Sequence, residues 1–160
     1  MLDHFCSWLE KTALSQILQN VTWAVPAVQT VHILSIGLVM SSVLMLDLRL
    51  LGWSCKDQSV TRIAARFLPV VWGTLPVLLL TGLLLILAEP ARALENSAFQ
   101  LKMLMLLTIV VLTLGMQRQI YTDRWDASSR AWRALFPLLS LLLWVCIVFA
   151  GRWIAYVRVH

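Results

Sequence analysis

Apolar positions run almost unbroken through four blocks of the chain, separated by short polar segments. The blocks lie at about 23–46, 67–88, 98–116 and 132–157. Each is near the roughly 20 residues that a helix needs to cross the hydrocarbon core of a bilayer. Residues 1–20 have a different pattern. Phe5, Trp8, Leu9, Leu14, Ile17 and Leu18 fall on one helical face, with Asp3, Glu10, Lys11, Gln16 and Gln19 mostly elsewhere. That division predicts a helix lying in the membrane interface. The expected fold is all-α: one integral membrane domain over residues 1–160, a four-helix bundle with an N-terminal interfacial amphipathic helix.

Residues at the block ends refine this picture. Pro26 sits in the first turn of span one, where a missing N–H costs little. Gly37 and Ser41 are spaced to let another helix approach closely. Asp47 and Arg49 mark the far interface, and Gly52 can end the helix. The polar segment 54–66 is expected to begin the second helix before it enters lipid. Pro69, Gly73 and Pro76 predict a kink in span two. Thr81-Gly82 offers another close-contact point, and Glu89-Pro90 ends the span. Lys102 lies just inside span three, Pro137 near the start of span four, and Arg152 near its end. Trp23, Trp53, Trp132, Trp153 and Tyr156 sit near span ends, as an aromatic belt requires.

Composition agrees with a membrane reading. The chain is 60% hydrophobic and 13% charged, against about a quarter charged for soluble domains. Its net charge of +5 suits anionic lipid headgroups. The arginines flank apolar spans and form no stripe, which argues against nucleic acid as a partner. Cys6, Cys55 and Cys146 have no metal-ligand spacing. No cleavable signal is evident at the N-terminus. Arg49, Lys56, Arg62, Arg66, Arg118, Arg124, Arg130 and Arg133 lie on one side of the spans. Lys11, Arg92, Lys102, Arg152 and Arg158 lie on the other. The positive-inside rule then places both termini outside the cytoplasm.

Only one histidine falls inside a span. His32 lies roughly 13 Å below Trp23 at helical rise, and an ionisable residue at that depth is a functional-site candidate. As neutral imidazole it is suited to ligate a haem iron; equally, it can hydrogen-bond a neighbouring helix. Gln29, one turn away, can serve in either case. Lys102 and Arg152 share its leaflet because the span number is even. Lys102 either snorkels to the headgroups or points inward as an iron ligand or base. Arg152 either snorkels, pairs with Glu89, or holds an acidic group such as a haem propionate. Tyr156 lies one turn on. Asp47 and Arg49 read as packing residues that cap span one and pair with loop charges, and Met103 and Met105 as core filler. A four-histidine, two-haem bundle is excluded. A copper site from His4, Cys6, His160 and methionines has no specific spacing in its favour.

Several of these residues carry a resemblance. Pro26 with His32, the run Asp47-Leu48-Arg49-Leu50-Leu51-Gly52, Thr81-Gly82, Phe99-Gln100-Leu101-Lys102, and Gly151-Arg152-Trp153-Ile154-Ala155-Tyr156 together look like a bacterial family of small four-helix membrane proteins. More distantly, His32 and Lys102 are similar to the helix-one histidine and helix-three lysine of HemJ-type protoporphyrinogen oxidases. CopD-like copper-resistance proteins are a looser comparison. The HemJ likeness implies haem b near His32 and Lys102. Two functions follow as expectations. The first is a haem-binding redox or electron-transfer protein, with His32 and Lys102 at the metal and a quinone or protein as redox partner. The second is a non-catalytic anchor or assembly subunit of a larger complex, or a homo-oligomer, in which the same residues are interhelical glue. A transporter fits less well, since the spans lack paired acids and inverted repeats.

Overall fold

The computed structural model describes residues 12–54, 57–88, 90, 97–122, 125 and 129–154. Five helices are numbered here in chain order: α1 (Ala13–Asn20), α2 (Ala24–Leu50), α3 (Val60–Ala88), α4 (Ser97–Tyr121) and α5 (Arg130–Ile154). Four of them, α2 to α5, are long and apolar enough to cross a membrane. The described residues contain no strand. Ile33, Leu34, Leu79, Leu80, Leu104, Leu107, Leu142 and Phe149 all point outward. In water such a surface would drive aggregation; in lipid it is the correct face. Trp23, Trp53 and Trp132 are exposed at span ends, consistent with an interfacial belt.

The helices run up and down as two hairpins. α2 packs closely along α3, and α4 along α5. Contact between α2 and α5 joins the hairpins, while α3 and α4 meet sparsely. Two apolar clusters cross all four long helices. One contains Val39, Val43, Val71, Ile109, Trp144 and Ile147. The other includes Leu46, Leu50, Ile63, Leu68, Met116, Ile120 and Phe136.

The helix ends are built as their residues require. Gly52 adopts φ +74°, and its N–H reaches Arg49 O at 3.0 Å while Trp53 N–H reaches Leu48 O at 3.0 Å. This paired closure satisfies the last carbonyls of α2 and needs a residue at ease with positive φ. Among the described residues, Arg49 does not pair with a loop acid. Its Nε and Nη2 donate to Gln58 O at 2.8 and 2.6 Å, folding the connection back on the helix. Helix α2 also continues past the expected end of span one, so Asp47 lies within it, fully buried. The expectation that Asp47 marks an interface and pairs with loop charges is corrected: the turn of the helix carries it inward, beside Leu46. Helix α3 begins at Val60 and runs through both Pro69 and Pro76.

Of the expected interfacial helix 1–20, residues 1–11 lie outside the described residues. The remainder, α1, binds the bundle end through polar groups. Ser15 Oγ donates to Leu87 O at 2.7 Å, and Gln19 Nε2 donates to Ala88 O at 2.9 Å. These are the unpaired C-terminal carbonyls of α3, which every helix end leaves open. Ser15→Ala should therefore cost about 1–3 kcal/mol by orphaning a buried carbonyl. Chemical unfolding in detergent would measure it, and an unchanged midpoint would show that α1 does not hold this end.

Candidate polar site at one end of the bundle

Each long helix sends one residue or pair into a single layer. His32 lies about two turns inside α2, Thr81-Gly82 about two turns before the end of α3, Lys102 near the start of α4, and Gly151 near the end of α5. The up-down topology brings these positions to the same end.

Each hairpin contributes half of the layer. In the α2–α3 hairpin, His32 Nδ1 lies 2.7 Å from Thr81 Oγ1. The Thr81 hydroxyl also lies 2.7 Å from Val77 O. A hydroxyl has one hydrogen, and an unprotonated carbonyl can only accept, so the Thr81 hydrogen goes to Val77 O and Nδ1–H donates to Thr81. The network thus assigns the tautomer. It leaves the lone pair on Nε2, which makes no hydrogen bond among the described residues. Gly82 stands below the ring, where an added Cβ would sit 3.6 Å from His32 Cε1. That is ordinary contact, so Gly82→Ala should be tolerated. Gly82→Val should push on the ring and lower stability by about 1–3 kcal/mol, measured as thermal unfolding; equal stability of the two variants would place the ring elsewhere.

In the α4–α5 hairpin, the Lys102 side chain lies over Gly151. A Cβ there would come within 3.3 Å of Nζ, so the missing side chain makes room for the amine. Lys102 is half-buried and makes no ion pair among the described residues.

The other expected site residues are placed differently. Gln29 is exposed, because the inward stripe of α2 runs through Val28, His32, Ser35 and Val39 and leaves Gln29 beside it. Its side chain therefore lies outside the buried stripe that holds His32. Arg152 is exposed at the same end of the bundle. Tyr156, Glu89, His4, Cys6, Cys55 and His160 lie outside the described residues. Among the described residues, no three His, Cys, Asp or Glu side chains gather to hold a metal ion. The sequence reading missed the partnership of His32 with Thr81, although the spacing from the span ends placed both at one depth.

These features define a small multi-pass helical membrane protein with a polar layer at one end of its bundle. The chain belongs to DUF6644, a family of unknown function, whose model matches residues 5–157. No curated protein and no solved structure matches the chain. The likeness to HemJ-type and CopD-like proteins gains no support from these comparisons, so any haem reading stands on the site itself.

Proposed function

We propose that this chain is a haem-binding redox or electron-transfer protein of the bacterial inner membrane, with His32 as the iron ligand. The observation that carries the reading is the His32–Thr81 hydrogen bond. Metal-ligating histidines characteristically give their second ring nitrogen to a hydrogen-bond partner, which fixes tautomer and ring direction. Here that arrangement leaves Nε2 as the donor atom. The donor set fits haem b: an imidazole nitrogen, an amine at Lys102 in the same layer, and glycines at positions 82 and 151 where the helices flank it. Bound haem would supply one-electron chemistry. In this reading His32 fixes the iron, Lys102 acts as second ligand or base, and Arg152, at the same bundle end, holds a propionate. The positive-inside bias supports a non-cytoplasmic position for this layer, and a quinone or a protein would be the redox partner. The visible spectrum of protein purified from cells grown with ample haem tests the reading. A Soret band is expected; colourless protein rejects it.

The same hydrogen bond favours a second reading. A His–Thr contact between helices also serves as packing glue, as in a non-catalytic anchor or assembly subunit. That reading expects a colourless protein that copurifies with fixed partners or with copies of itself, and that keeps assembly in His32→Gln.

A further inference from the structure

A second polar group lies inside the bundle, toward the end away from His32. Asp47 is 0% exposed, and neither carboxyl oxygen has a hydrogen-bond partner among the described residues. Ser140 is also buried, on α5, the helix that packs against this stretch of α2. Ser140 is itself unusual. The buried hydroxyls of Ser35, Ser42, Thr74, Thr81 and Thr113 each donate to the carbonyl one turn earlier in their own helix. Ser140, equally buried, makes no such bond among the described residues. One turn along, the indole N–H of Trp144 is also buried and unpartnered. The pair sits where the two apolar clusters meet, between Val43, Leu46 and Leu50 on α2 and Phe136 and Trp144 on α5.

No cation among the described residues answers the carboxyl. Arg49 is committed to Gln58 O. Arg62 and Arg66 on α3 and Arg118 on α4 are exposed. Arg133 on α5 lies two turns before Ser140, and Lys102 belongs to the opposite end. An ionised carboxylate with neither a counter-ion nor hydrogen-bond donors is among the costliest groups a folded chain can bury. A proton on the carboxyl removes the charge and creates a donor for which Ser140 is the adjacent acceptor.

We infer that Asp47 and Ser140 form an interior proton-binding site, which exchanges its proton with the aqueous phase at the face carrying residues 51–54. Asp47 stands about one turn, roughly 5 Å, from that end of α2. The step is simple uptake and release: the carboxylate gains a proton to become the acid, with no electron transferred. It does not depend on the haem reading.

Infrared spectroscopy of the full chain in lipid vesicles at pH 7 tests the inference. The wild type should show the carbonyl stretch of a neutral carboxylic acid, and Asp47→Asn should lack it. Labelling aspartate with ¹³C at the side-chain carboxyl should move the band whether or not the variant folds. Transfer to D₂O should lower its frequency, because an exchanging site trades its proton for deuterium. Absence of the band would mean an ionised group and would overturn the inference. A band present but insensitive to prolonged D₂O exposure would mean a sealed acid and would overturn the exchange.

Discussion

On the haem reading, His32→Ala is expected to abolish the Soret band, while Thr81→Val weakens haem retention by about 10–100-fold. The two variants remove different things. Alanine takes away the donor nitrogen itself. Valine keeps the ring but deletes the oxygen that receives Nδ1–H, so the ring loses its fixed direction and Nε2 its aim. If the histidine were only interhelical glue, the ordering would change. Both variants would then cost about 1 kcal/mol of stability, the worth of such a bond in lipid, and neither would alter any spectrum. Titrating added haem into the three proteins and following absorbance separates these outcomes. A Soret band in His32→Ala equal to that of the wild type would remove His32 from the iron.

Asp47 gives the second large effect, and its sign depends on the substitution. Asp47→Arg should cost about 3–5 kcal/mol, since it buries a cation that no described group can answer. Asp47→Val should be neutral or stabilising, by up to about 3 kcal/mol, because it replaces two unsatisfied oxygens with methyl groups of similar size. The contrast separates a buried polar group kept for its chemistry from one that holds the helices together. Denaturant unfolding in mixed micelles measures both. A clear loss of stability in Asp47→Val would show that the carboxyl makes a structural contact that the buried geometry does not reveal.

Much of the architecture was legible along the chain. The four apolar blocks are the long helices, because in lipid the backbone must satisfy its hydrogen bonds within each span. Gly52 terminates α2 as its position suggested. That His32 and Lys102 share one half of the bilayer followed from the even number of spans. Rotation about each helix axis was harder to read. Where both faces of a helix are apolar, hydrophobicity no longer distinguishes the bundle side from the lipid side. Gln29 looked like a neighbour of His32 from spacing and faces outward instead. Asp47 looked like an interface residue because acids usually are, yet it turns into the core one turn before α2 ends. The docking of α1 was hidden for a related reason. Ser15 and Gln19 seek the open carbonyls of α3, a demand set by a helix far away in sequence.

The division into two hairpins bears on how the polar layer could respond to load. His32 with Thr81 belongs to one hairpin and Lys102 with Gly151 to the other, and the sparse α3–α4 contact lies between them. A small slide of one pair past its neighbour would change the imidazole-to-amine separation without breaking a backbone hydrogen bond. The layer thus lies across the joint between the two hairpins, so any slide along that seam alters its chemical reach.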